Sequence, residues 1–70
     1  MEIFSERLRL LRKEHHLKQD EAAQGAGLNA RTYRRYEEEA DRDPPASAVV
    51  ALARFYGASA DYLLGLTDEH

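Results

Sequence analysis

Arg31, Arg34 and Arg35 lie close together in a stretch that reads as a short helix. Residues three and four apart share a helix face, so the three guanidiniums form one basic surface. Tyr33 and Tyr36, with Glu37 beside them, fall on another. One face can pack while the other meets something anionic. The alternative for the arginines is a solvated helix face, whereas the tyrosines read as core. Nothing else in the chain suggests reaction chemistry. There is no cysteine, no glycine-rich phosphate loop, and no His/Asp/Glu constellation at ligand or triad spacing. Ser5, Ser47 and Ser59 read as helix-start residues rather than nucleophiles. His15 and His16 are adjacent, but neighbours point different ways on a helix, and no second cluster completes a coordination shell. The chain is therefore expected not to be an enzyme and to need no metal or cofactor.

The basic face must be positioned by the stretch QDEAAQGAGLNARTYRRYE, residues 19–37. It reads as two short helices with a tight break at Gly27, where a chain leaving a helix often needs a positive φ that glycine adopts without penalty. Leu28 follows as an apolar plug. Asn29 is placed to cap the next helix, its side-chain oxygen accepting from a backbone N–H two or three residues on. Ala23 and Ala26 are small enough to let two helices cross closely. This is the physical plan of a helix-turn-helix, whose second helix enters a DNA major groove.

Seventy residues predict one domain, 1–70, near the lower limit for a core that folds unaided. No signal peptide or spanning segment is visible, so the expected location is cytoplasmic, with no membrane partner. A net charge of −3 argues against nucleic acid if read alone, but its distribution argues otherwise. Residues 1–35 carry eight Lys/Arg against five Asp/Glu, a net +3; residues 36–70 carry two against eight, a net −6. That asymmetry predicts a basic working half and an acidic half facing elsewhere.

In chain order, a first helix is predicted from Met1 to about His15, with Phe4, Leu8, Leu11 and His15 at helical spacing and Leu10 at the margin. The second runs from Gln19 to Gln24 or Gly25; Lys18 is a poor N-cap, so its start is expected to fray. The third spans Ala30 to about Glu38. Prolines 44 and 45 close the loop EADRDPP. A fourth helix spans Ala46 to Tyr56, burying Val49, Leu52, Ala53 and Tyr56, with Gly57 as its left-handed cap. Ser59 caps a short fifth helix through Leu64. No strand signal is present, so the fold class is a compact, five-helix, all-α domain.

The chain resembles the Cro/cI-type, or xenobiotic-response-element, helix-turn-helix family of bacterial and phage regulators. FSERLRLLRKEHHLKQDEAAQGAGL resembles its first helix and helix-turn start, RTYRRYE its recognition helix, and ALARFYGASADYLLGLTDE its closing helices. The resemblance implies a lambda-repressor-like fold and sequence-specific binding of double-stranded DNA, most simply by a repressor. It implies a phosphate contact for Gln19 and groove contacts for Asn29, Ala30, Arg31, Thr32, Arg34 and Arg35. It implies an ion pair between Arg12 and Glu37, tying the first helix to the end of the recognition helix. In such a groove the arginines are candidate base readers, able to donate two hydrogen bonds to guanine O6 and N7. Ala30 suits a thymine methyl, while Asn29, Thr32 and Gln19 suit phosphate oxygens.

Several positions depart from the family pattern. Lys18 replaces the usual Ser or Thr cap. Ala22 and Ala26 stand where large aliphatics are common, so Tyr33, Tyr36 and Tyr56 are expected to refill the core. EEEADRD, residues 37–43, places five acids around one arginine, which predicts repulsion of the DNA backbone and weaker or more salt-sensitive binding. One helix covers too few base pairs for a genomic site, so a homodimer on a palindromic operator is expected, with Phe55, Tyr62, Leu64 and Leu66 as candidate interface residues. The competing reading is an antitoxin- or adaptor-like protein-interaction module whose acidic loop meets a protein partner.

Overall fold

The computed structural model describes residues 1–70. Five helices follow in order: α1 (Glu2–Glu14), α2 (Gln19–Ala26), α3 (Ala30–Glu38), α4 (Ala46–Tyr56) and α5 (Ala60–Leu63), with no strand. They close a ring of packed neighbours, α1 on α3, α3 on α2, α2 on α4, α4 on α5 and α5 back on α1. No helix is long and apolar enough to cross a membrane.

The predicted stripes meet at the centre of this ring. Phe4, Leu8 and Leu11 of α1 are buried, as are Val49, Leu52 and Tyr56 of α4, with Ala53 half-buried. Ala22, Ala23, Tyr33 and Tyr56 belong to one buried cluster, and Tyr36 packs against it. Tyr33 and Tyr56 thus share one core with Ala22, and Ala26 packs against it. The two buried phenols meet at 2.5 Å between hydroxyl oxygens. Burial, then this bond, pushes the Tyr33 pKa well above the usual phenol value. Burial also raises that of Tyr56.

His15 departs from the expected stripe. It is exposed at the end of α1, its Nδ1 lies 2.9 Å from the Leu11 carbonyl, and its ring edge rests on Tyr56. Leu10 points outward and is half exposed. Ser5 lies near the start of α1, as expected, and is buried there.

The helix ends show why the boundaries fall where they do. The N–H of Gly27 bonds the Gln24 carbonyl and that of Leu28 the Ala23 carbonyl, a closure that needs a left-handed residue at Gly27 (φ 75°). α4 and α5 turn off in the same way at Gly57 and Gly65. α1 ends likewise, with Leu17 N–H on the Arg12 carbonyl, but its left-handed position is His16 at φ 55°. At the start of α2, Lys18 offers no acceptor. Half of a capping box survives, because the Glu21 carboxylate accepts from the Lys18 backbone N–H at 2.8 Å.

α2 runs past Gly25, where the sequence suggested a weak end. A Cβ at Gly25 would overlap the Phe55 ring, sitting 2.6 Å from Cζ. The glycine thus permits the close approach of α2 to α4. At the opposite side of the ring, Arg7 ties α1 to the end of α5. It donates to the carbonyls of Tyr62 and Thr67, pairs with Asp68 at 2.7 Å, and lies 4.3 Å over the Tyr62 ring.

Two outcomes follow from these contacts. His16→Gly relieves a left-handed histidine and should stabilise the fold by about 0.5–1 kcal/mol in urea unfolding, after the entropy cost of glycine in the unfolded chain. The buried phenols keep their protons when the unfolded phenols, near pH 10, lose theirs. Stability must therefore fall as pH rises through about 10, by up to roughly 1.4 kcal/mol per pH unit for each tyrosine. The double variant Tyr33→Phe/Tyr56→Phe should lose that part of the alkaline slope in unfolding curves between pH 9 and 11.

Candidate nucleic-acid interface

α3 is held at both ends before its outer face meets anything. At its start, Asn29 Oδ1 accepts from the N–H groups of Arg31 (2.9 Å) and Thr32 (3.4 Å). At its end, α1 supplies donors to carbonyls that have no partner within the helix. Ser5 Oγ donates to the Tyr36 carbonyl at 2.6 Å, and Arg9 Nη1 to that of Glu37 at 2.5 Å. The Met1 ammonium donates to the carbonyls of Ala40 and Arg42 in the loop beyond.

The inner face of α3 carries Tyr33 and Glu37, both about 1% exposed or less. A buried carboxylate is tolerable only when paired. Arg12 meets it with two bonds, Nε to Oε2 at 2.7 Å and Nη2 to Oε1 at 3.0 Å. Gln19 Nε2 adds a third at 3.2 Å. The hydrogen bond to Glu37 raises the Arg12 pKa above its already high value, with desolvation opposing it. Arg12 also donates to the Leu17 carbonyl, which pins the turn after α1.

The outer face carries Arg31 and Arg34, exposed and in no ion pair. Arg35 is half-buried, and its Nε lies 3.4 Å from Glu39 Oε2. Asn29 is exposed, whereas Ala30 and Thr32 are half-buried at the start of the same helix. Gln19 stands apart from this group: its amide N–H groups already serve Glu37 and, at 3.3 Å, Glu38. Arg31, Arg34 and Arg35 thus share one helical stripe, while the Gln19 amide is turned toward carboxylates.

The acidic segment is matched within the protein more fully than its composition suggests. Glu37 faces Arg12, and Glu39 lies between Arg35 and Arg42 (2.9 Å to the latter). Asp43 sits 3.4 Å from the Met1 ammonium. Glu38 and Asp41 alone among the five acids have no cationic partner. A cleft of about 280 Å³ opens here, lined by Thr32, Arg35, Tyr36, Arg42, Asp43 and Pro45. Among the apolar residues near the chain end, Leu66 is exposed while Phe55 and Leu64 are half-buried. Tyr62 is buried under Arg7, so it is not available to an interface as expected.

Sequence reasoning missed Ser5 and Arg9 as anchors of α3. Their signal was present: residues 5, 9 and 12 fall at i, i+4, i+7, a polar stripe beside the apolar one.

Residues 3–64 match the family model described as Helix-turn-helix domain. The chain is 43% identical over 67 residues to YobD, an uncharacterized HTH-type transcriptional regulator of Bacillus subtilis (strain 168), the match covering 96% of this chain and 59% of the relative. It is 42% identical over 55 residues to the cryptic phage CTXphi transcriptional repressor RstR of Vibrio cholerae, covering 79% of this chain and 49% of the relative. The chain thus spans roughly half the length of these curated relatives. No solved structure matches it. With the cap at Asn29, the turn at Gly27 and the inward Glu37 in place, this chain belongs to the helix-turn-helix domain family, of the Cro/cI type that its motifs resemble.

Proposed function

We propose that this chain binds double-stranded DNA, laying α3 in the major groove, and that it works as a transcriptional regulator, most simply a repressor that occludes a promoter. The observation that carries the reading is the outer edge of α3, where Arg31 and Arg34 stand exposed and unpaired on a helix fixed at both ends. Two relatives named as a transcriptional regulator and a transcriptional repressor support it. Unpaired guanidiniums on a rigid helix can be aimed, which base reading requires. Arg35, already leaning on Glu39, is better suited to phosphate than to a base edge.

Two copies would read half-sites about one DNA turn apart, with Leu66 and the half-buried Leu64 and Phe55 contributing apolar surface. The work would be done in the cytoplasm. The competing protein-interaction reading draws on the acidic segment 37–43. Three of its five carboxylates already face cations of the same chain, which leaves little charge for a partner.

A selection from random duplexes, run at two salt concentrations, should return an enriched palindromic sequence. The double variant Arg31→Ala/Arg34→Ala should bind that duplex about 100-fold more weakly, at roughly 1–3 kcal/mol for each lost base pairing. Its far-UV circular dichroism should be unchanged, because neither side chain bonds within the fold. No enrichment, or an unchanged affinity in the double variant, would remove DNA from the reading.

A further inference from the structure

Glu38 shares the outer edge of α3 with the arginines. Positions 31, 34, 35 and 38 fall at i, i+3, i+4 and i+7, so the carboxylate ends the same ridge. It is exposed, and although Arg34 lies one turn away the two form no ion pair. Its side-chain partner is the neutral amide of Gln19, which holds it at the junction of α2 and α3. The remaining acids differ. Glu37 and Glu39 are neutralised by arginines and Asp43 by the Met1 ammonium, while Asp41 lies in the loop beyond the helix.

We infer that Glu38 sets an affinity threshold for the ridge, a fixed negative charge that lowers the sequence-independent attraction to phosphate shared by every duplex. The inference rests on the DNA-binding reading above and adds to it. Binding without sequence preference comes almost wholly from cations meeting phosphates. Sequence is read by base-edge contacts, which a carboxylate at the end of the helix leaves intact. A single unmatched acid on the ridge therefore weakens binding to any duplex by a similar factor. Only a duplex offering good pairings to Arg31 and Arg34 overcomes it.

The test compares the full chain with Glu38→Gln, which keeps the shape and the Gln19 contact, and with Asp61→Asn, which removes the same charge from an exposed position on α5. Each is titrated at 0.05 and 0.3 M salt, on the order of a long and a short screening length, against the selected duplex and a scrambled duplex of equal length. Glu38→Gln should bind the scrambled duplex about fivefold more tightly at low salt, the gain shrinking at high salt, while Asp61→Asn gains less than about twofold. Equal gains from the two variants, or none from Glu38→Gln while the wild type binds its selected duplex, would overturn this inference and spare the DNA-binding reading. Failure of all three proteins, folded by circular dichroism, to bind any duplex would overturn both.

Discussion

A carboxylate at the centre of the helix-turn-helix sets the rest of this structure. Glu37 has surrendered its water, and its charge is tolerable only because Arg12 meets it with two hydrogen bonds and Gln19 with a third. These donors come from α1 and α2, so one ionised group on α3 holds three helices in register. Replacing such a pair by apolar side chains of matching volume can be neutral for stability, whereas stranding one charge costs about 3–5 kcal/mol. The pair is therefore better understood as a device of orientation than as a source of stability. It fixes how α3 is rolled about its axis.

The roll has consequences that helical geometry makes unavoidable. With Glu37 inward, Tyr33 one turn earlier must also point inward, where its hydroxyl finds Tyr56. Arg31 and Arg34 are then left on the solvent side, while the Glu38 carboxylate reaches back to the Gln19 amide that also serves Glu37. α1 completes the constraint from the other end through Ser5 and Arg9, which serve the last carbonyls of α3. Cations at that end also explain how an acid-rich segment can follow a helix C-terminus, where the helix dipole disfavours negative charge. Arg9, Arg35, Arg42 and the Met1 ammonium all lie against it.

Much of this was legible in the sequence where a local rule decided the outcome. The start of α3 follows from the Asn29 side chain, the bounds of α4 from Pro45 and Gly57, and the inward tyrosines from helical spacing alone. Legibility failed where tertiary contact overrode local preference. Gly25 looks like a helix end but marks the approach of Phe55. His16 accepts a left-handed conformation that glycine would take more easily. Ser5 reads only as a helix-start residue, and its bond to the Tyr36 carbonyl depends on a distant helix. Of the candidate site, the arginine edge could be read from spacing, but the direction of the Gln19 amide could not. It depends on where Glu37 and Glu38 arrive from a different helix.

The charge asymmetry between the two halves of the chain needs the same spatial reading. Along the sequence it suggests a basic half and an acidic half, but the fold pairs them across that divide, Arg7 with Asp68, Arg12 with Glu37, and Arg35 with Glu39. The net −3 is therefore a poor guide to the field at any one surface. At physiological ionic strength charges separated by more than about 8 Å are largely screened from one another. An incoming anion at α3 is governed by what lies within that distance. There, two guanidiniums have no internal partner to give up, so neither must break an existing ion pair before meeting a ligand. Arg35 must first release its contact with Glu39.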